Sequence, residues 1–326
     1  MTTSSDWTQR IACAASFLRP RVRRTPLERV SIRKDDPALP VLLKLESLQI
    51  TGSFKLRGAW WKLSRLSEQD KLRGVGTCSA GNHGLALAYA GCRERIPTFV
   101  YLPRNVDPAK EAKIRACKAQ VIPTPHEGFD AAEQWALEDA ARRGLCYVSA
   151  FDDCDVIVGN GGTVMLEILE DVPELTTLVV PVGGGGLAAG AVLAAEVLGK
   201  RVRLVACQLK SSPGLARSLA AGRAVTRLPA VKTKAAGIEG GIGTLPFSIL
   251  QRHSPEVVLL SESELEGAVR WCLEELGYLI EVSAAAPLAA LLGGKVTLDR
   301  GPVAAVLTGR NLGLPWLKEI LQADGS

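Results

Sequence analysis

The sequence predicts an α/β protein built on parallel sheets. Three observations predict it. Short β-rich runs alternate with helical patterns from about residue 70 onward. One run, "TLVVPV", is almost wholly apolar, as a strand covered on both faces is. Glycine-rich turns join strand patterns to helix patterns at "SAGNHG" and "GGGG".

The elements follow in order. "GVGTCSA" reads as a strand and "NHGLALAYAGCRE" as a helix; "PTFVYLP" is the next strand. "DPAKEAKIRACKA" is a helix with Asp107 as N-cap and Pro108 at its first position. "QVIPT" is a strand, "FDAAEQWALEDAARR" a helix stopped by Gly144, and "LCYVSA" a strand. "TLVVPV" leads through four glycines into "LAAGAVLAAEVLG"; "RVRLVACQ" and "EVVLL" are further strands. Ser261 and Glu264 form a capping box opening "SELEGAVRWCLEEL", and "PVAAVLT" is the last strand. There is no short-period repeat or low-complexity tract.

The totals narrow the function. A chain of 326 residues is long enough for two domains sharing a large core. No apolar run approaches the ~20 residues that cross a bilayer, and "MTTSSDWTQR" has no signal-peptide stretch. A cytoplasmic protein is expected, with no membrane partner. The net charge of +5 is modest, and basic residues are scattered apart from "RPRVRR". That excludes a nucleic-acid footprint and suits a small anionic ligand. The 8 cysteines form no C-x-x-C pair and read as reduced structural thiols; no metal site is expected.

Three glycine-rich turns stand out. "SAGNHG", residues 79–84, presents backbone N–H groups to an anion, or is a plain turn with Asn82 as a cap. "GGGG", residues 183–186, suits close approach to a phosphate. Gly183, Gly185 and Ala188 satisfy G-x-G-x-x-A, but the acid a dinucleotide site wants is replaced by Gln208. No Gly-Lys-Ser/Thr follows either, so a P-loop is excluded and a phosphate cup of another kind remains. "LTGRN", residues 307–311, places Thr308 at the end of a parallel strand, where ligands bind in such sheets. Lys55, in "TGSFKLRGA", supplies an amine. Amine, cup, anion turn and strand-end hydroxyl are the parts of a pyridoxal-phosphate site. Lys44 in "VLLKLES" is a rival amine, or an ion-pair partner of Glu46 on one strand face.

The ordered set "KLESLQITGSFKLRGA", "SAGNHG", "FDDCDVIVGNGGTVMLEIL", "VVPVGGGGLAAG", "LARSLAAGR" and "LIEVSAAAPLAALL" resembles fold type II (tryptophan synthase β-like) pyridoxal-phosphate enzymes. Within them it is similar to the serine/threonine dehydratase and serine racemase group. The resemblance implies two parallel-sheet α/β domains with pyridoxal 5′-phosphate between them. Residues 1–69 and 150–326 would form the large domain and 70–149 a small mobile one. It implies that Lys55 carries the Schiff base and acts as the Cα base, with Phe54 near the ring and Asn82 on the ring's 3′-oxygen. Gly183, Gly184, Gly185 and Gly186, with the N–H of Leu187, would hold the phosphate, and Thr308 would face the pyridine nitrogen. Ser79, Ala80, Gly81, Asn82 and His83 would receive the substrate carboxylate, and Glu281 would line the site. The implied reaction is α,β-elimination of water from a β-hydroxy amino acid, and the implied assembly a homodimer. Racemisation and β-replacement on the same cofactor are the enzymatic alternatives, and a non-catalytic ligand-binding protein is the alternative of another class.

The departures from the family pattern are specific. Racemases of the family place serine where Ala80 stands, and alanine cannot donate a proton. Gln208 replaces a glutamate of the family's cation site, so no Mg²⁺ or Ca²⁺ is expected there. Ala236 stands where aspartate is usual, "GNGGT" carries an extra glycine, and Arg310 occupies a usual Gly-Gly turn. These point to a substrate other than plain serine or threonine, such as phenylserine or 3-hydroxyaspartate; "GGIG" also resembles hydroxyectoine-pathway dehydratases. The chain stops soon after the last strand, so feedback through an appended regulatory domain is not expected.

Overall fold

In the computed structural model, which describes residues 4–32, 41–104, 108–127, 129–298 and 301–322, the apolar runs become strands of two sheets. They are β1 (Leu27–Val30), β2 (Val41–Lys44), β3 (Val75–Cys78), β4 (Thr98–Leu102), β5 (Gln120–Pro123), β6 (Cys146–Tyr147), β7 (Thr177–Pro181), β8 (Arg203–Leu209), β9 (Glu256–Leu260) and β10 (Val303–Val306). One sheet has the order β1-β2-β10-β7-β8-β9, the other β5-β4-β3-β6. Every pairing is parallel except β1 with β2.

The six-stranded sheet shows why its strands read as continuous apolar runs. Successive side chains of a strand point to opposite faces. Leu42, Leu178, Leu204 and Ala304 join one buried cluster, while Val41, Leu43, Val179, Val205, Val303 and Ala305 join the cluster on the other side. With both faces covered, no position is left for a polar alternation. The smaller sheet lies wholly between Val75 and Tyr147 and packs on its own helices, with Tyr101, Ala132, Ala136 and Ala140 buried on one side and Val100, Leu102 and Ile114 on the other.

Local signals held at most element ends. Ser261 accepts from the Glu264 N–H while Glu264 reaches back to the Ser261 N–H, starting the helix Glu262–Leu276. The helix Phe129–Arg142 is followed by Gly144 in the left-handed region, at φ 68°. Pro108 begins the helix Pro108–Ala116; the expected cap Asp107 lies outside the described residues. No helix among the described residues is long and apolar enough to cross a membrane.

One expectation was wrong. Lys44 and Glu46 do not alternate along a strand, because β2 ends at Lys44 and Glu46 opens the single 3₁₀ turn Glu46–Leu48. The Lys44 ammonium instead bonds Glu167 at 2.6 Å and the Thr25 carbonyl at 2.8 Å. Glu46 pairs with Arg57 at 2.8 and 2.9 Å, and Arg57 also bonds Glu167 at 2.7 Å. Two cations and two carboxylates thus close a quartet behind the helix Lys55–Ser64, with Lys44, Glu46 and Arg57 buried and Glu167 half-buried at its edge. Lys44 is fully buried within it, which removes it as a rival amine.

Candidate active site

The segments that follow the carboxyl ends of β2, β3, β7 and β10 converge, as ligand sites in parallel sheets do. Lys55 is the first residue of its helix, preceded by a short backbone pairing with the far end of the chain. Ser53 bridges Gly309, the Phe54 N–H donates to the Thr308 carbonyl at 3.1 Å, and the Arg310 N–H donates to Gly52 at 2.9 Å. Gly52 makes this turn at φ 75°, a left-handed conformation that favours glycine. Lys55 and Thr308, 253 positions apart in sequence, are thereby fixed side by side.

The Lys55 amine donates to the Ala150 carbonyl at 2.7 Å and lies 5.1 Å from the centre of the Phe54 ring. Burial disfavours its charged form and lowers its pKa to about 8; the Glu281 carboxylate opposes that shift. Near neutral pH such an amine exists in both protonation states. That is what a nucleophile and proton carrier need.

The next residue, Phe151, ties the amine to the glycine cup. A β-carbon at Gly184 would overlap the Phe151 ring, and one at Gly186 would lie 3.0 Å from the Phe151 carbonyl oxygen. One at Gly183 would lie 2.6 Å from the Gly237 carbonyl oxygen, and Gly185 has φ 88°. Packing within the chain therefore accounts for these glycines. They lead into the helix Gly186–Val197, whose first-turn N–H groups, Leu187 included, have no partner within the helix. An anion suits that position.

The "SAGNHG" loop enters the helix Asn82–Glu94. Ser79, Ala80 and Asn82 are half-buried, Gly81 is exposed and His83 is buried. Asn82 Nδ2 donates to Glu281 at 2.7 Å, and its Oδ1 accepts from Asn311 at 2.7 Å. The Glu281 backbone N–H in turn donates to the Gly309 carbonyl at 3.0 Å, next to Thr308. Withdrawal from water pushes the Glu281 carboxyl above its usual pKa, against Asn82, Asn311, Lys110 and Lys55, which pull it down. Burial, and then the Lys55 charge, drive the His83 pKa down to about 3, so His83 is neutral. Its Nε2 pairs with the Val148 carbonyl at 3.2 Å, and its Nδ1 is buried without a partner.

Lys55 is thus linked to the cup through Ala150 and Phe151 and to Thr308 through the Phe54 N–H, and the Asn82 side chain is linked to the loop after Thr308 through Glu281. The residues fit pyridoxal phosphate on their own chemistry: a partly deprotonated amine, an anion-receiving helix start adjoining it, and a buried Ser53 hydroxyl left without a partner. Gln208, by contrast, spends its amide on the Val182 carbonyl at 3.2 Å and the Ala216 N–H at 3.0 Å. Ala236 is exposed and Arg310 is half-buried.

Sequence reasoning missed Ala150, Phe151, Asn160 and Asn311. Only Asn160 carried a signal, in the extra glycine of "GNGGT": residues Val158–Gly162 form a π-turn, the usual result of one added residue in a helix.

The chain is similar to known proteins in sequence and fold. The sequence pattern described as "Pyridoxal-phosphate dependent enzyme" matches residues 18–309. An L-threonine ammonia-lyase of Thermotoga maritima is 37% identical over 303 residues, covering 92% of this chain and 74% of its own. The structure of maize serine racemase superposes with a TM-score of 0.88 at 30% identity, covering 96% of each chain. A processed threonine deaminase isoform 2 of Solanum lycopersicum gives 0.90 at 27% identity, covering 99% of this chain and 89% of its own.

Proposed function

The chain belongs to the pyridoxal-phosphate dependent enzyme family, and on that premise we propose that it is a dehydratase acting as an ammonia-lyase on a β-hydroxy amino acid. The single observation that carries the proposal is the Lys55 amine, lowered to about 8 and set between the cup and the Asn82 loop. Relatives named threonine ammonia-lyase and threonine deaminase support the reaction class.

Pyridoxal phosphate, when bound, would supply the electron sink that makes the Cα–H of the amino acid acidic. Lys55 would hold the cofactor at rest and then take the Cα proton at Nζ. The β-hydroxyl leaves as water with one proton, and the released enamine hydrolyses to a 2-keto acid and ammonia. The N–H groups of Gly183 to Leu187 would hold the phosphate. Phe54 would pack on the ring, and Asn82 has a second amide N–H for the ring oxygen. Thr308 would face the ring nitrogen with a hydroxyl that gives up no full charge. Ala80, Gly81, Asn82 and His83 would receive the carboxylate through backbone N–H groups at the helix start, with Glu281 beside them. The Ser79 N–H is not free for this, because it donates to the Tyr101 carbonyl at 3.2 Å.

Ala80 separates elimination from racemisation. A racemase needs a second proton donor opposite Lys55, and a methyl group supplies none. The maize serine racemase match is the observation that keeps racemisation as the second reading. Residues 70–149, which contain the smaller sheet, would move as a unit over the rest and exclude water from the closed site. The enzyme would act in the cytoplasm as a homodimer, and Gln208 would leave it without a cation at that position.

The test is 2-keto acid release from L-threonine, L-serine, threo-3-hydroxyaspartate and threo-phenylserine with pyridoxal phosphate added. Release from one of the four is expected. Inversion of the amino acid with no keto acid from any of them would replace the proposal with the racemase reading.

A further inference from the structure

The π-turn Val158–Gly162, "VGNGG", packs between the helix that carries Lys55 and the helix that follows the glycine cup, and all five of its residues are buried. It is built for backbone-to-backbone approach on two sides. A β-carbon at Gly159 would lie 2.7 Å from Gly58 Cα and 2.9 Å from the Arg57 carbonyl oxygen. A β-carbon at Gly161 would overlap the Leu187 carbonyl and lie 2.7 Å from the Ala191 nitrogen. Gly159 therefore abuts the Lys55 helix, and Gly161 the cup helix. Gly190 returns the contact, since its β-carbon would overlap the Ile157 carbonyl and lie 2.7 Å from the Gly162 nitrogen. A methyl group at any of these points forces the two helices apart.

One side chain locks the assembly. Asn160 is 1% exposed, and its Oδ1 accepts the Gly58 N–H at 2.8 Å. Gly58 is the fourth residue of the Lys55 helix, and the Phe54 carbonyl that would ordinarily serve its N–H already accepts from the Arg57 N–H at 3.0 Å. The fit admits nothing larger, because a β-carbon at Gly58 would lie 2.6 Å from Asn160 Cγ. The acceptor thus comes from a segment more than a hundred residues away and meets the helix three residues after the amine.

We propose that Asn160, held in the π-turn, is a positioning residue that fixes the Lys55 amine relative to the phosphate cup. The inference rests on the reading of Lys55 and Gly183 to Leu187 as the cofactor site. Without the Asn160 acceptor, the first turn of the Lys55 helix loses its outside partner and the amine drifts from the aldehyde. The cup, built by other residues, keeps its affinity for the phosphate.

Two ligands separate these effects. Pyridoxal phosphate reports attachment to Lys55, trapped with borohydride and located by peptide mass. Pyridoxine phosphate, which has no aldehyde, reports the cup alone. Asn160→Leu should slow attachment about tenfold, the scale of a lost buried hydrogen bond, and leave pyridoxine phosphate binding unchanged. Asn160→Asp, which keeps the acceptor beside a helix N-terminus, should restore attachment. If Asn160→Leu does not fold, Asn160→Ser withdraws the acceptor more gently and is read the same way. Unchanged attachment in a folded variant, or equal weakening of both ligands, overturns the inference while the site reading survives. Wild-type label found away from Lys55 overturns both.

Discussion

Replacing Arg57 by methionine should expose what the quartet contributes. Arg57 and Glu46 have side chains 1% and 0% exposed, and no water replaces a lost partner there. Burial alone would raise the Glu46 carboxyl, but Arg57 and then Lys44 hold it below its usual pKa. Arg57→Met leaves two carboxylates against one ammonium. Breaking a buried pair from one side costs about 3–5 kcal/mol. At roughly 2.1 cal/mol/K per residue, a chain of 326 residues converts that to a fall in Tm of about 4–7 °C. The double variant Arg57→Met/Glu46→Gln removes one charge of each sign and should lose less than the single variant. The pH dependence has a definite sign. In the wild type Glu46 has a depressed pKa, so its stabilisation is present above the ordinary carboxylate pKa and is lost as the pH falls through the folded value. Without Arg57, burial raises Glu46, and the penalty is relieved as the pH falls and the group protonates. Thermal unfolding at about pH 8 and about pH 5 should therefore show a wider gap between variant and wild type at the higher pH. An equal gap at both, or a double variant worse than the single, would refute the reasoning.

Other outcomes follow from the site. Attachment of pyridoxal phosphate should quicken as pH rises through about 8, because only the neutral Lys55 amine attacks; a rate flat across that range would count against a lowered amine. Gly184→Ala should abolish pyridoxine phosphate binding, measured by calorimetry, because the methyl displaces Phe151 and with it the cup. Ala80→Ser should add detectable racemisation, read by chiral chromatography, to a largely retained elimination; no inverted product would mean that this position does not present a proton.

Much of the architecture was legible because it is local. Alternating strands and helices, the Ser261 box and the Gly144 stop are all written within a few neighbouring residues. Lys55, Asn82, the four glycines and Thr308 could be singled out for a related reason, since each lies in a segment that follows the carboxyl end of a strand, in the loop or at the start of the next helix. The partners that shape their chemistry were not. Glu167 reaches Lys44 across 123 positions and Asn311 reaches Asn82 across 229, and nothing in local spacing encodes either. Lys44 and Glu46 seemed a natural pair on alternation alone. The chain turns after Lys44, and a one-turn change of backbone re-aims both side chains.

The place of β10 has a consequence for how the protein is made. This strand, the last in chain order among those described, inserts between β2 and β7 in the middle of its sheet, and its downstream loop braces the segment before Lys55. During synthesis, β2 and the Lys55 segment must wait for some 250 further residues before their neighbours exist. The smaller sheet, with all its strands between Val75 and Tyr147, has no such wait. A nascent chain interrupted before β10 carries a finished small sheet and an open gap in the large one, with apolar edges on both sides of the gap. Such an intermediate is a natural client for a chaperone, and the enzyme becomes competent only when its final strand arrives.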